Sequence, residues 1–582
     1  MKASLRRLDA EKWETYWLNE SFTYKTEKRI YDLLPHEPEM MATVLFIIGM
    51  SVYYLWRMFA ITPQYDELYT YYHFISRGPL HAALSWPSSN NHVGYSLLSS
   101  IIDLCGNPYI GLRGVSYVGA ISNLILVNKI CRRYYSHWIP FGASLLYSSM
   151  QIVNEYSVQG RGYTLATTCF LLSVYIAGYI CSVEETGSVY YLWLCFAFAL
   201  GMYTVPGSIY WILPMCVAVS IYLLINAYRN REVYSKRSNN VYLKKFVRFV
   251  KSIFLPAVIT LVLYGLIWLN EGSRMLIENE HSPFYKLSRG TILVRAPVMS
   301  ILTGFRFMRD HPYVRSVDPE MFKKMFVGWL FGFCDYIFPG LAVMVFLVVI
   351  GSLIAAFVEC IRHFAYSRTV INLVMVSNVL ITPLMLIMAH KLPYHKVFGY
   401  GAFVITLSFA MFMEMMVNMG IRLYNRHKLA PDKKAAKTIH RENETVYRDD
   451  KWFSGIGIYT PILICLIFFG FRVLSDDFSS QLGERENDLF NTLYIANVGK
   501  RNNVAALDCD QRYLLKFGWD IDCQKTDVQD ADCVIIDKDM LEPGYSGNNT
   551  WKFYADYDTI DWGYLDRMHP IYENENFILY VK

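Results

Sequence analysis

The chain is short of charge. Only 18% of its 582 residues are Asp, Glu, Lys or Arg, whereas 54% are hydrophobic, and soluble globular proteins carry roughly 25% charged residues. The deficit is uneven, because long apolar runs alternate with short basic patches. This composition argues against an ordinary soluble globular protein and predicts an integral membrane protein.

Several other sequence features are missing. The twelve cysteines are scattered, and none has the close Cys/His spacing of a zinc site. The net charge of +5 comes without a basic stripe on a polar segment, which argues against nucleic-acid binding. No internal repeat or inverted symmetry of the transporter kind stands out. The N-terminal region has no short apolar core with a cleavage site, so we expect the first span to act as the targeting signal.

Apolar segments are the dominant pattern that is present. A spanning helix needs about 20 mainly apolar residues, and about eleven segments approach that length. They lie near residues 41–60, 111–129, 138–154, 163–182, 189–203, 208–227, 252–269, 333–357, 371–389, 398–418 and 455–472. The sequence therefore predicts an α-helical multi-pass membrane protein with about eleven transmembrane helices.

Basic residues set the expected orientation. Lys and Arg cluster after the second, sixth, eighth and tenth segments, and such loops are typically cytoplasmic. The predicted organisation is a cytoplasmic segment at 1–40 and a transmembrane region at 41–472, followed by an extracytoplasmic α/β domain at 473–582. The large extracytoplasmic loops are then 61–110 and 270–332. We expect the plasma membrane as the location.

Two of the outer regions have recognisable secondary structure. The loop after the first span contains amphipathic stretches at 64–78 and 91–105, which predict helices lying at the membrane interface. In the C-terminal region, Val504–Leu507, Cys533–Asp537 and Phe577–Val581 are strand-like runs bounded by polar turns. They predict a small α/β domain.

An acidic pair, Asp66-Glu67, follows the first apolar segment. Thr62 is suited to cap a helix that has Pro63 at its first position, which places the pair near the start of a helix. One explanation is purely structural, because acids there stabilise the positive end of the helix dipole. The other is catalytic, because an enzyme could hold a general base over a lipid-borne substrate in this way.

Other polar residues near the pair are candidates for substrate binding. Tyr69 and His73 would share a helix face with Asp66 through three- and four-residue spacing. Asn91 and His92 belong to a polar cluster that precedes an apolar run, where an Asn also fits a helix N-cap. The sequence leaves both explanations of this cluster open.

A second polar group lies between two predicted spans on the outer side. It contains Glu155, Gln159, Arg161 and Tyr163. Arg161 stands between two glycines in a loop where the positive-inside bias leaves few cations, and its guanidinium fork suits a phosphate. We predict that it binds a donor phosphate and that the other three contact substrate. The alternative is an interfacial arginine that only snorkels to water.

Further cations are predicted on the same side. Lys391, His395 and Lys396 lie between two later spans, where they would stabilise a phosphate leaving group or simply anchor the chain at the interface. Arg57 lies in the last turns of the first span, and an ionisable group at that depth is a functional candidate by default. It could also snorkel outward. We predict all four as donor phosphate ligands.

Three of these motifs together resemble the GT-C superfamily of polyprenyl-phosphate-dependent glycosyltransferases, in particular its protein O-mannosyltransferase and aminoarabinose-transferase branch. They are Tyr65-Asp66-Glu67, Asn91-His92-Val93-Gly94-Tyr95-Ser96 and Gln159-Gly160-Arg161-Gly162-Tyr163. Many spans followed by a soluble tail are similar too. The chain departs from relatives that often carry His-Pro-Pro or His-Pro-Leu at the second motif and Ala-Arg-Gly at the third.

The resemblance implies a mechanism. Asp66 would be the acid–base residue, with Glu67 beside it, and would take a proton from an acceptor hydroxyl attacking the anomeric carbon of a polyprenyl-phosphate sugar. Cations would stabilise the departing lipid phosphate, and single displacement would invert the anomeric configuration. Some relatives use a divalent ion. We expect none to be obligatory here, because the outer loops show no further clear carboxylate cluster.

Two other functions remain as alternatives. A lipid or polysaccharide transporter, including a flippase, would explain the many spans and would predict a polar route through the membrane. A polysaccharide polymerase or ligase would consume diphosphate-linked donors instead. The expected partners are membrane lipid, a lipid-linked sugar and an acceptor in the cell envelope, with no nucleic acid. The sequence does not define whether the acceptor is a glycan, a lipid or a protein.

Overall fold

A computed structural model gives the fold of most of the chain. It describes residues 35, 37–86, 91–232, 240–271, 286–288, 290–292, 294–295, 319–364, 368–389, 392–429, 453–475, 478, 484–500, 503–522, 528–529, 531–541, 557 and 560–582. Residues 1–52 and 53–582 are two separate compact units, and all contacts below lie within the second. The predicted segment 1–40 and loop 270–332 fall largely outside the described residues.

Helices dominate the fold. In chain order they are α1 (Pro38–Ala60), α2 (Tyr65–His73), α3 (Pro79–Leu84), α4 (Val93–Asp103), α5 (Pro108–Tyr134), α6 (Ile139–Ser148), α7 (Gln151–Tyr156), α8 (Tyr163–Ser182), α9 (Ser188–Thr204), α10 (Ile209–Arg229), α11 (Val241–Glu271), α12 (Pro319–Ile337), α13 (Ala342–Arg362), α14 (Thr369–Ala389), α15 (Gly401–Leu429), α16 (Phe453–Val473), α17 (Glu484–Ile495), α18 (Cys509–Trp519) and α19 (Trp562–Leu565). Short 3₁₀ turns at Ile75–Arg77 and His395–Phe398 complete the parts near the site.

Within the described residues, eight helical segments are long and apolar enough to cross a membrane. They are Pro38–Ala60, Pro108–Tyr134, Tyr163–Ser182, Pro206–Arg229, Val241–Ile267, Ala342–Arg362, Thr369–Ala389 and Gly401–Gly420. Each overlaps a predicted span, which supports a multi-pass membrane protein. The predicted total of eleven is not confirmed, because Ser188–Thr204 and Tyr459–Val473 are apolar but shorter.

The predicted span at 333–357 was wrong as a single helix. The structure ends α12 at Ile337 and starts α13 at Ala342. Pro339 lacks an amide hydrogen and disfavours helical backbone in the residue before it. Gly340 then takes a φ of +76°, a conformation that glycine adopts readily. The break separates a helix with charges at its start from the apolar span that follows.

The predicted span at 138–154 is also broken. Helix α6 covers ten residues, all buried, and α7 begins after Met150, whose backbone is extended. The hydroxyls of Ser148 and Ser149 donate to the carbonyls of Leu145 and Leu146. Such bonds from serine back to the preceding turn compete with the helical ladder. The break turns α7 into a separate short helix beside the polar loop that follows it.

The C-terminal region contains a four-stranded sheet. Its strands are β1 (Val504–Ala505), β2 (Cys533–Asp537), β3 (His569–Glu573) and β4 (Phe577–Val581), in the order β1-β2-β4-β3. The β1–β2 pair is parallel and the other two pairs are antiparallel. Three of the strands lie where the sequence predicts them. Strand β3 was missed because it is mostly exposed and contains a proline, which sheets tolerate on an edge strand.

The sheet region packs directly on helix α2. Leu68 is fully buried in one apolar cluster with Leu514 of α18 and Leu579 of β4. Tyr65 also packs against this cluster, with its ring 5.7 Å from that of Tyr513. One side of helix α2 therefore packs against the C-terminal region. This packing fixes the direction in which the other side chains of α2 point.

Candidate active site

Helix α2 carries the acidic pair and starts differently from the prediction. Gln64, not Thr62, is the N-cap, and its backbone amide donates to Glu67 Oε2 at 3.1 Å. The amide of Thr62 donates instead to Asn487 Oδ1 at 3.1 Å. Pro63 consequently precedes the helix. A carboxylate that accepts from the N-cap amide is half of a capping box, so the helix begins on a bond made by one member of the pair.

Glu67 forms a buried ion pair with Arg113 of α5. Arg113 Nε lies 2.8 Å from Glu67 Oε1 and Arg113 Nη2 lies 2.9 Å from Glu67 Oε2, and both side chains are 1% exposed. This two-pronged arrangement is the strong geometry for a guanidinium and a carboxylate. It joins α2 to the first turns of a spanning helix. Arg113 is not among the predicted site residues.

Both partners of this pair have further bonds. Arg113 Nη1 donates to the carbonyls of Met58 at 2.9 Å and Ile61 at 2.6 Å, and Gly160 N donates to Glu67 Oε1 at 2.6 Å. A Cβ on Gly160 would lie only 2.5 Å from Leu112 Cδ1, so only glycine brings this amide so close. Glu67 accepts four hydrogen bonds and has no exposed surface. These contacts favour a positioning role and argue against the predicted catalytic one.

The first prediction concerns this pair. Arg113→Gln and Glu67→Gln should each lower the free energy of unfolding by about 3–5 kcal/mol, because each leaves a buried charge without its partner. The double variant should lose clearly less than the two single losses combined. Denaturation of the detergent-solubilised protein measures all three. Strictly additive losses would contradict the ion pair.

Asp66 faces a lysine from a distant part of the chain. Asp66 Oδ2 lies 3.3 Å from Nζ of Lys396, which belongs to the 3₁₀ turn between α14 and α15. The two side chains are 36% and 29% exposed. Asp66 is thus accessible where Glu67 is not. The structure brings together one predicted general base and one predicted phosphate ligand.

Arg161 lies on the same side of α2. Its Nη1 donates to Thr70 Oγ1 at 2.8 Å and approaches the carbonyl of Asp66 at 3.4 Å, and the residue is 4% exposed. The side chain therefore does not snorkel to water, which removes the alternative explanation of this arginine. Gln159 Nε2 donates to Gln64 Oε1 at 3.0 Å and ties the same loop to the start of α2.

His92 and Tyr163 pack together beside this loop. The amide of Gly162 donates to His92 Nδ1 at 2.8 Å, and the two rings meet edge to face with centroids 4.7 Å apart. Burial, with the nearby charges of Arg161 and Lys396, lowers the pKa of His92 well below its usual value. The ring is therefore neutral at neutral pH. Since Nδ1 accepts a hydrogen bond, the neutral ring has its hydrogen on Nε2.

The second prediction follows from this neutral ring. Because the folded protein holds His92 unprotonated while the unfolded chain takes up a proton near pH 6.5, stability should fall as pH decreases below about 6.5. The contribution is at most about 1.4 kcal/mol per pH unit. His92→Gln retains an acceptor but cannot titrate, so its melting temperature should fall less steeply between pH 7 and 5. An equal decrease of the melting temperature with pH in wild type and His92→Gln would contradict a neutral His92 in the folded protein.

Glu155 and Arg57 form a second charged group. Glu155 Oε2 accepts from Tyr336 Oη at 2.5 Å, and Arg57 Nη1 donates to the carbonyl of Asn154 at 3.0 Å. Burial raises the pKa of Glu155, and the positive charges of Lys396 and Arg57 oppose this only in part. Arg57 is fully buried, so it does not snorkel. The charge of Lys396, which pairs with Asp66, therefore also favours the ionised form of Glu155.

Some predicted residues are placed elsewhere. Tyr69 and His73 do not share the surroundings of Asp66: their rings stack at 4.0 Å and both pack against Tyr513 of α18. Asn91 Nδ2 donates to the carbonyl of Ser85 at 2.5 Å, so its amide organises the start of α4. These three predictions of direct contact with the substrate at Asp66 have no support from the geometry.

The structure describes two of the three predicted cations between α14 and α15. Lys391 lies outside the described residues. His395 Nε2 lies 3.1 Å from the carbonyl of Trp329, and burial lowers the pKa of its ring. His395 therefore fastens its turn to α12, and its lowered pKa disfavours the predicted cationic role. Among the residues that the structure describes, no three His, Cys, Asp or Glu side chains cluster as a metal site.

Comparison with known proteins gives one family match. A family model described as dolichyl-phosphate-mannose-protein mannosyltransferase matches residues 93–267. The match covers less than a third of the chain, from α4 to α11, and contains Arg113 and Arg161 but neither Asp66 nor Lys396. No curated protein matches the chain.

The class of protein follows from the helices and this match together. Eight long apolar helices define a multi-pass membrane protein, and the matched family is a glycosyltransferase family. Together they support a membrane glycosyltransferase that is similar to dolichyl-phosphate-mannose-protein mannosyltransferases over residues 93–267. The predicted resemblance is confirmed over that stretch, whereas the particular branch stays a prediction.

Proposed function

We propose that the protein transfers a sugar from a polyprenyl-phosphate donor to an acceptor hydroxyl, with Asp66 as the general base. The observation that carries the proposal is the pairing of an accessible carboxylate with Lys396 Nζ at 3.3 Å. Arg161 contacts Thr70 of the helix that carries Asp66, α2. The matched family is named for a lipid-phosphate sugar donor. That name also favours transfer over the transport alternative.

The chemistry assigns a separate task to each charge. The acceptor oxygen forms a bond to the anomeric carbon as its proton passes to Asp66, and the bond from that carbon to the phosphate oxygen breaks. Lys396 and Arg161 stabilise the negative charge that collects on the departing polyprenyl phosphate. Before the donor binds, the ammonium of Lys396 forms an ion pair with the Asp66 carboxylate at 3.3 Å. Single displacement inverts the anomeric configuration.

Neighbouring groups support this step without taking part in proton transfer. Glu67 fixes the backbone of Asp66 through its bonds to Arg113 and Gly160. His92 offers an Nε2–H donor, which suits a sugar hydroxyl or a phosphate oxygen. Glu155 is held against Tyr336 and is a candidate acceptor for a sugar hydroxyl. No divalent ion is required in this proposal, since lysine and arginine supply the positive charge.

The third prediction tests the base. Asp66→Asn should reduce transfer from a polyprenyl-phosphate mannose donor by about 10²–10⁴-fold, because the amide cannot accept the proton. Purified protein with a radiolabelled donor provides the measurement. The matched control is Glu184→Gln, which neutralises an exposed acid between α8 and α9 and should leave the rate unchanged. Retention of a tenth or more of the activity by Asp66→Asn would exclude Asp66 as the base.

We also propose that this site faces away from the cytoplasm, since the basic loops lie on the other side of the predicted topology. Helix α5 offers a test, because its 27 residues span about 40 Å. Cys105 is exposed just before its start, and Ser136 is exposed just after its end.

The fourth prediction uses these two positions. The background carries Cys509→Ser and Cys523→Ser, because Cys509 of the C-terminal region is partly exposed. In intact cells, a membrane-impermeant maleimide should label Cys105 of this background, and Cys105→Ser should remove that signal. A cysteine introduced by Ser136→Cys, with Cys105→Ser also present, should react only after the cells are permeabilised. The reverse pattern would place Asp66 on the cytoplasmic side and overturn the proposed orientation.

A further inference from the structure

A second cleft lies at the far end of helix α2, between this helix and α18 of the C-terminal region. Its volume is about 670 Å³, within the range of roughly 300–1,000 Å³ that is usual for ligand sites. One wall consists of Tyr71 to Arg77, and the other of Arg512 to Asp522. The cleft contains none of the groups assigned above to proton transfer or to the donor phosphate.

Aromatic rings form much of the cleft. Tyr72 stacks on Tyr513 with centroids 5.9 Å apart and an interplanar angle of 11°, while Tyr71 meets Phe517 edge to face at 5.9 Å. Each pair joins one residue from α2 to one from α18. Tyrosine presents a flat apolar face and a polar tip at low conformational cost, which suits a ligand with both apolar ring faces and polar edges.

The charged lining of the cleft is of mixed sign. Arg77, Arg512 and Lys516 lie alongside Asp520 and Asp522, and Lys516 Nζ pairs with Asp522 Oδ2 at 3.2 Å. Burial lowers the pKa of His73, so that ring adds no positive charge at neutral pH. A site for an anionic headgroup would concentrate cations. Paired donors and acceptors instead match hydroxyl groups, which both donate and accept.

We propose that this cleft binds a saccharide, as the acceptor glycan of the reaction. That the ligand is a saccharide is inferred from the aromatic rings and the mixed charges of the cleft. That this saccharide is the acceptor rests on the proposed function. Helix α2 links the two sites: Asp66 and His73 are seven residues apart, a rise of about 10 Å. A glycan held along Tyr72 would extend towards Asp66 on the same side of the membrane.

The fifth prediction fills the cleft from its rim. Ser76 is exposed and lines the cleft, so Ser76→Trp should obstruct it without disturbing a buried contact. The control is Glu575→Trp, which adds the same side chain at an exposed turn between β3 and β4 that does not line the cleft. Full-length protein in detergent is applied to an array of neutral oligosaccharides. Wild type, Asp66→Asn and Glu575→Trp should be retained by the same glycans, and Ser76→Trp should lose at least tenfold in affinity.

Three outcomes overturn this proposal. The first is retention by no glycan, and the second is equal retention of Ser76→Trp and wild type. The third is binding that vesicles of phosphatidylglycerol abolish and soluble glycans do not, which would identify a lipid headgroup site. The result is independent of the proposed base: if Asp66→Asn retained transfer activity, glycan binding that depends on Ser76 would still stand. With an array ligand as acceptor, Ser76→Trp should raise the acceptor KM at least tenfold, and Glu575→Trp should leave it unchanged.

Discussion

The ion pair between Glu67 and Arg113 holds four parts of the chain in one place. It joins α2 to α5, and its remaining bonds reach the carbonyls at the end of α1 and the amide of Gly160. Both charges are almost completely buried, and an unpaired charge in such surroundings is far less stable than a paired one. The ion pair therefore holds the four segments together. It also fixes the position of Asp66, which is the residue next to Glu67.

Two adjacent acids consequently have different roles. Neighbouring residues on a helix point about 100° apart, so Glu67 turns into the protein while Asp66 turns towards Lys396 and remains 36% exposed. Burial and four hydrogen bonds make Glu67 a structural group. Asp66 pairs with the half-buried ammonium of Lys396, and in the proposed mechanism an incoming hydroxyl takes the place of this ammonium beside the carboxylate. In the proposed mechanism, the pair Asp66-Glu67 thus combines the general base with the group that positions it.

Periodicity and composition predict most of the long apolar helices and three of the four strands in the described residues, because these depend on local sequence. The breaks at Met150 and Pro339 were missed, since a long apolar run hides them. Arg113 was missed although it falls inside a predicted span, where an ionisable residue is itself a signal. Sequence alone also could not pair Asp66 with Lys396, because 330 positions separate them. Only the folded chain shows which distant cation lies beside Asp66.

Helix α2 carries the proposed base and also packs on the C-terminal region, and this explains why the side chains predicted to lie beside Asp66 point to different surroundings. Leu68 is buried in the core of the sheet region, and the rings of Tyr69 and His73 pack against Tyr513 in the same region. Thr70 turns instead towards Arg161. A nine-residue helix that packs on both sides has little freedom to rotate. Any ligand that orders α18 against α2 therefore acts on the same helix that carries Asp66, so in the proposed mechanism the C-terminal region helps to position the general base.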